Sequence, residues 1–267
     1  MALFLPRGHQ RPNAILGRIG GHPQARNLVH WLPGIGSDPF TAGGAFNGAY
    51  TGVTDVTGTT KPKEAFDVFK VQTADMPGTV FYVPDTAYHQ TAIVMVPLVA
   101  AFAGAASGGP GASLSVWVKL KLATPVDANY TGFCTVQGNG GTFPNSHYPY
   151  TDGTVYLQTL RNDRVSFTPS ASVNRAQWHH IVITHTGYVW KCYQNAQLVY
   201  TDTTGDGQVY VSSGGASYCA FMGAWADGNY VMNGHSCDWR LYNRALSQAE
   251  VQAMYAPATR WSLYYGV

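Results

Sequence analysis

The sequence predicts an all-β protein, a two-sheet antiparallel sandwich with one short helix near the C-terminus. Three observations carry this expectation. Short β-type runs recur along the chain between stretches rich in Gly, Pro, Asn and Thr, with 30 Gly and 15 Pro among 267 residues. One run, residues 113–122, alternates apolar and polar side chains without a break. Only residues 247–255 carry a complete set of helix start and stop signals. Length alone permits one large β domain or two small ones.

The elements follow in order. Residues 1–27 mix Gly, Pro, Arg and His with no apolar period, and Arg7, Arg11, Arg18 and Arg26 all precede the first acid, Asp38. Such a basic arm cannot bury enough to order itself, so it reads either as a loose tail or as a docking arm for an acidic protein surface. Leu28 to Leu32 is the first strand candidate, and residues 33–60 read as long loops pinned by Phe40, Phe46 and Tyr50. Strand candidates follow at 68–71, 79–83 and 92–99. In 113–122, Leu114, Val116, Val118, Leu120 and Leu122 share one face and predict a core. Ser115, Trp117, Lys119 and Lys121 share the other, which predicts an exposed Trp beside two Lys.

Later strands are expected at 132–137, 154–160, 165–168, 178–186, 188–193, 197–201, 218–222 and 237–242, with hairpin turns at Gly187 and at Asn195-Ala196. Ser247-Gln248-Ala249-Glu250 is a capping box, Leu246 and Val251 are spaced as a hydrophobic staple, and Pro257 ends the helix.

Composition excludes several classes. Charged residues are 11% of the chain, against about 25% in an ordinary soluble domain, while 45% is hydrophobic. A net charge of +2 is too weak for general nucleic-acid binding. Residues 92–106 are interrupted by Pro97 and Gly104 and are too short to span a bilayer. The apolar stretch in MALFLPRGHQRP is too short for a signal peptide. Cys134, Cys192, Cys219 and Cys237 show no C-x-x-C spacing, so buried free thiols are expected rather than a zinc site.

Three segments then carry a resemblance. Trp178-His179-His180-Ile181-Val182-Ile183-Thr184 resembles the W-x-H-[IV]-x-[IV]-T strand of concanavalin A-like, laminin-G-like jelly-roll domains. The hairpin GYVWKCYQNAQLVY after it is similar to the next repeat of that family, with Asn195-Ala196 where Asn-Gly is usual. Residues 238–251, DWRLYNRALSQAEV, are similar to its long closing signature. The resemblance spans 28–256, with long insertions before Ser113, and implies a concanavalin A-like jelly roll.

A narrower resemblance lies at the flanks. His22-Pro23-Gln24-Ala25-Arg26-Asn27-Leu28-Val29 resembles the opening of jelly-roll proteins encoded among tailed-bacteriophage structural genes. Arg260-Trp261-Ser262-Leu263-Tyr264 resembles their closing motif. This implies a virion protein assembled in the host cytoplasm, either a surface decoration or cement protein or an appendage such as a fibre or spike. Its partners would be copies of itself and other virion proteins such as the major capsid protein. The expected organisation is a basic arm (1–27), a jelly-roll domain (28–256) and an aromatic tail (257–267), with the four Arg and Trp261 as docking groups.

Catalytic members of the wider fold cleave β-glucans with an E-x-D-x-x-E strand. Here Glu occurs only at Glu64 and Glu250, and the second is committed to a cap, so no enzyme of that type is expected and a glycan hydrolase is a distant third reading. His179-His180 reads as a structural pair, one His on each face of its strand. Sugar binding is the main alternative to a virion building block. Tyr130, Phe143, Tyr148, Tyr150, Trp225, Asn229 and Tyr230 lie in two aromatic, amide-rich segments suited to stacking on sugars or to filling a subunit interface. Some family members bind calcium; Asp202, Asp206, Asp227 and Asp238 are the candidate ligands, without diagnostic spacing, and no other cofactor is expected.

Overall fold

β-Branched and aromatic residues in alternation build two antiparallel sheets, as a half-buried pleated surface requires. The computed structural model describes residues 22–32, 34, 53–54, 60–61, 69–83, 94–97, 111–120, 132–138, 141–147, 155–158, 164–167, 177–186, 189–203, 218–221, 232 and 234–265. The strands are β1 (Leu28–Leu32), β2 (Val53–Thr54), β3 (Thr60–Lys61), β4 (Phe69–Thr73), β5 (Met76–Val83), β6 (Val94–Pro97), β7 (Ala112–Leu120) and β8 (Gly132–Gly138). They continue with β9 (Gly141–His147), β10 (Val155–Gln158), β11 (Arg164–Phe167), β12 (His179–Thr186), β13 (Val189–Gln194), β14 (Gln197–Asp202), β15 (Tyr218–Phe221) and β16 (Gly234–Tyr242). Helix α1 (Gln248–Tyr255) and a single turn, α2 (Ser262–Tyr265), close the chain.

The larger, eight-stranded sheet runs β14-β13-β12-β7-β16-β5-β4, with β1 also paired to β16. The six-stranded sheet runs β11-β10-β9-β8-β15-β6, and β2-β3 form a small ribbon. The fold is the two-sheet jelly-roll sandwich with one short C-terminal helix that the sequence predicts. Among the described residues no helix is long and apolar enough to cross a membrane.

Strand β16 organises the larger sheet. One edge pairs with β7; the other pairs with β5 through residues 234–236 and with β1 through residues 239–242. The changeover falls at Asp238, whose φ of +58° marks a bulge where β16 gains one residue on β7. Gly111, at the start of β7, takes φ +87°, and a Cβ there would lie 2.0 Å from the His185 carbonyl oxygen, so only glycine fits.

Cross-strand register puts Ser113, Ser115 and Trp117 on one face with His180, Val182, Tyr193 and Arg240. This face is not open to solvent, contrary to the exposed Trp expected from alternation. Trp117 is 4% exposed. Its ring lies 5.8 Å from Tyr255, 5.5 Å from Trp261 and 5.1 Å from His180, with the Arg260 guanidinium 5.7 Å away. The C-terminal segment lies over the sheet, so β7 is buried on both sides; Lys119 remains half-buried and Lys121 falls outside the described residues. For the same reason His179 and His180 are both buried, where one inside and one outside was expected.

The segments on either side of the domain are joined in a clasp through one buried ion pair. Arg240, fully buried, places Nη2 2.7 Å from Asp238 Oδ2 and donates from Nε to Asp238 Oδ1 at 2.9 Å. Trp31 Nε1 donates to the same Oδ1 at 2.8 Å. Arg240 Nη1 reaches Gln24 Oε1 at 2.7 Å, and Nη2 reaches the Arg260 carbonyl at 3.4 Å. Tyr242 donates to the Gln24 carbonyl at 2.9 Å, and Gln24 Nε2 donates to the Thr259 carbonyl at 3.1 Å. The two flanking motifs therefore meet over the signature strand. Trp261, expected as a docking group, is buried in this layer against the main domain together with Leu263.

The capping box is present: the Glu250 amide donates to Ser247 Oγ at 3.3 Å and the Ser247 amide to Glu250 Oε2 at 2.9 Å. Arg244 adds a bidentate pair to Glu250 at 2.9 and 2.7 Å. Leu246 and Val251 are buried as the staple. The Asn195-Ala196 turn is tight, with φ of +50° and +65°. Strand β9 was not expected from sequence. GTFPNSH lacks alternation and contains Pro144, which sits at an irregularity in the β8–β9 ladder. Cys192 and Cys237 are buried thiols outside any disulfide, and burial pushes Cys192 up to about 12.

Two predictions follow from this packing. Asn tolerates a left-handed backbone, so Asp238→Asn keeps the bulge but strands the Arg240 charge. Urea unfolding should show a loss of about 3–5 kcal/mol, partly recovered in the Asp238→Asn/Arg240→Met double variant. A single variant within about 1 kcal/mol of wild type would show the pair to be dispensable. The Arg244 hydrogen bonds hold the Glu250 carboxyl down to about 2 from 4.5, so its contribution is present above pH 4.5 and lost as pH falls toward 2. Glu250→Gln should therefore flatten the Tm-against-pH curve in that window, and an unchanged slope would refute the assignment.

Candidate functional site

Beyond the C-terminal cover, the outer face of the larger sheet carries an open row of mixed chemistry. The register sets Lys119 of β7 opposite His235 of β16, and His235 opposite Tyr82 of β5. Trp178 directly precedes β12, where His179 lies opposite Val118, which brings Trp178 beside Lys119. Asp75, in the β4–β5 turn, reaches this row: its Oδ2 pairs with Lys119 Nζ and its Oδ1 accepts from Trp178 Nε1 at 3.1 Å. The Tyr82 and His235 rings stack with centroids 4.7 Å apart, and Trp178 stands tilted by 60° at 6.4 Å from His235.

The electrostatics of the row are mild. The Lys119 hydrogen bond holds the Asp75 carboxyl below its ordinary value. Burial, aided by the Lys119 charge and opposed by Asp75, lowers His235, so its imidazole is neutral at pH 7. Asp75 and Lys119 offset each other, and their side chains stay 46% and 28% exposed. The row therefore offers aromatic faces, spare carboxylate lone-pair capacity and spare ammonium protons.

Other arrangements are structural. Ser115 Oγ lies 2.8 Å from His180 Nε2, a spacing that suits a nucleophile and its base. Both are buried beneath α1, and burial with the Arg240 charge pushes His180 down to about 3. A pocket between Pro23, Gln24, Tyr242, Arg244, Leu246, Glu250, Ala253 and Met254 measures only about 80 Å³, well below the about 300 Å³ at which ligand pockets begin. Among the described residues the acids are Asp75, Asp202, Asp238 and Glu250, each on a different element, so none forms a strand-borne carboxylate pair.

The sequence-derived sites scatter. Tyr130, Tyr148, Tyr150, Trp225, Asn229 and Tyr230 lie outside the described residues, and Phe143 falls in β9 opposite Val136 of the six-stranded sheet. Arg7, Arg11 and Arg18 also lie outside them, while Arg26 is exposed beside the clasp and its carbonyl accepts from Arg244 Nε at 3.2 Å. Asp206 and Asp227 are likewise outside, and Asp202 is buried on β14. Both carboxylate oxygens of Asp238 are engaged by Arg240 and Trp31, so Asp238 does not fit a calcium ligand. Among the described residues no three His, Cys, Asp or Glu gather as a metal site.

Sequence reasoning missed the Asp75–Trp178–Lys119–His235–Tyr82 row because its members come from four separate stretches, the β4–β5 hairpin, β7, the residue before β12 and β16. The alternation of β7 was the one signal available, since it put Lys119 on a face with aromatic company. The aromatic that stays open there is Trp178 rather than Trp117.

A family model described as the concanavalin A-like lectin/glucanases superfamily matches residues 99–252. No curated protein matches the chain in sequence. Among solved structures, domain 4 of AbnA, an extracellular arabinanase from Geobacillus stearothermophilus, in complex with arabinotriose, aligns at TM-score 0.55 and 16% identity, covering 86% of this chain and 98% of that one. The binding domain of Paraclostridial Mosquitocidal Protein 1 aligns at 0.54 and 14% identity, covering 87% and 52%. Trypanosoma rangeli sialidase in complex with 2,3-difluorosialic acid aligns at 0.53 and 12% identity, covering 86% and 32%. At these identities the three structures speak to the fold alone. The family match, which spans more than half of the chain and includes the β12–β14 hairpins and the β16–α1 signature, places it: this chain belongs to the concanavalin A-like lectin/glucanases superfamily.

Proposed function

We propose that the chain is a non-enzymatic structural component of a tailed-phage virion, a surface decoration or appendage protein held by protein–protein contacts. The clasp carries this reading. The opening motif at Gln24 and the closing motif at Arg260, both of which resemble phage jelly-roll proteins, lie at opposite ends of the domain sequence, yet Arg240 of the signature strand bonds to both and Gln24 bonds to the Thr259 carbonyl. The likeness thus attaches to a built part of the fold rather than to two short strings. The scarcity of carboxylates argues against hydrolysis, and release of reducing ends from β-glucans, lost on mutating a single Asp, would overturn that part.

In this reading the partners are copies of the chain and the major capsid protein, and the location is the particle, assembled in the host cytoplasm. Arg7, Arg11 and Arg18 supply a basic segment for an acidic neighbour.

A second reading is a carbohydrate-binding, lectin-like module. Two observations favour it: the open aromatic row beside Asp75, and the likeness to an arabinanase domain that holds arabinotriose. Saccharide recognition joins aromatic faces to a few fixed polar groups, as that row does.

Among the described residues the packed layer begins at His22, and in this reading deletion of residues 1–21 leaves the sandwich folded by circular dichroism. Co-sedimentation with particles should weaken, and added salt should weaken the intact chain's attachment if the Arg contacts are exposed. Equal attachment by the truncated chain would end the docking-arm idea. Absence of the chain from purified particles by mass spectrometry would end the virion reading.

A further inference from the structure

We propose that the row formed by Trp178, Lys119, His235 and Tyr82, with Asp75 at its edge, is a binding site for one ring of a neutral saccharide, gripped through two adjacent hydroxyls. The proposal rests on the saccharide-binding reading above and gives that reading a place in the fold.

The Lys119–Asp75 pair keeps unused bonding capacity. An ionised carboxylate offers about four lone-pair positions, and Asp75 uses one toward Lys119, one toward Trp178 and one toward its own backbone amide. An ammonium has three protons, and Lys119 commits one to Asp75. A carboxylate and an ammonium side by side, each with capacity left over and each part-exposed, match a vicinal diol, in which every hydroxyl both donates and accepts.

The rings supply the second half. Tyr82 and His235 stack at 4.7 Å with planes 24° apart, and Trp178 stands at 60° to His235. Together they make an aromatic corner rather than a flat patch. The apolar face of a sugar ring packs on one wall while its hydroxyls turn toward the ion pair.

Charge selects the ligand class. The pair sums to zero and the neighbouring imidazole is neutral, so no net charge attracts an acidic or a basic sugar. An acidic sugar would have to compete with Asp75 for Lys119. The competing account is a latch: Asp75 fastens the β4–β5 turn to β7 and binds nothing.

Isothermal titration of the full chain against arabinotriose, cellotriose, maltotriose and a sialylated trisaccharide separates these accounts. The expected result is binding of at least one neutral trisaccharide, weakened about tenfold or more by Trp178→Ala and by Asp75→Asn. Trp178 also packs against core residues, so Asp75→Asn, an exposed and nearly isosteric change, keeps the test valid if Trp178→Ala unfolds. Neutral-sugar binding unaffected by Asp75→Asn and lost in Trp225→Ala or Tyr148→Ala would overturn the site and leave the saccharide reading standing. Preference for the sialylated sugar would overturn the neutral assignment. Failure of the wild-type chain to bind any of the four would overturn both the site and the reading.

Discussion

The structure depends on a charge it has to bury. Arg240 sits near the C-terminal end of β16 with no solvent exposure, and an unpaired guanidinium there would cost several kcal/mol in desolvation. Its neutralisation requires Asp238 on the same face two residues earlier, held in a left-handed conformation, and that backbone choice creates the bulge. The bulge in turn lets one edge of β16 serve β5 and then β1. The remaining guanidinium protons need acceptors that the sheet cannot offer, because its own carbonyls are committed to the ladder. Gln24 and the Arg260 carbonyl provide them, which draws residues on either side of the domain onto the same spot. One buried cation thus sets strand pairing, the bulge and the docking of both flanks.

That docking gives the larger sheet a second buried face. An ordinary antiparallel sandwich leaves the outer face of each sheet in water. Here Trp117, Tyr255 and Trp261 with the Arg260 guanidinium form a layer above β7, and His180 is sealed beneath it as a neutral ring bonded to Ser115. The cover is made by a short helix and one further turn, so it cannot extend over the whole sheet. It stops between Trp117 and Lys119, one step along the same face. The open row begins where the cover ends, and its chemistry changes there from apolar stacking to a mixture of rings and charge.

What could be read from the sequence was what depends on neighbours along the chain. The alternation of residues 113–122 marks β7, the Asn195-Ala196 pair marks a tight turn, and Ser247 with Glu250 marks the start of α1. Each is a local rule with a local consequence. Strand β9 escaped because GTFPNSH owes its extended form to partners on both sides rather than to its own residues. The burial of Trp117 escaped because alternation identifies two faces but does not say that both are covered. The candidate row was the least legible part. Asp75 and Trp178 are 103 residues apart and Lys119 lies between them, and only strand order makes the three neighbours.

A chain with 11% charged residues leaves few ions, and their placement is informative. The ion pairs Arg240–Asp238, Arg244–Glu250 and Lys119–Asp75 all stand at junctions: the bulge, the strand-to-helix corner, and the contact of the β4–β5 turn with β7. They differ in exposure, and physics assigns them different work. A pair with no access to water is barely screened by salt and serves to fix geometry, which is the position of Arg240–Asp238. An exposed pair adds little stability on its own and keeps its hydrogen-bonding capacity for others. Lys119–Asp75 is the pair of that second kind that also stands beside open aromatic faces. In a chain with so few charged residues, such a place is suited to selecting a neutral polar partner by shape and hydrogen bonding, because long-range attraction has little charge on which to act.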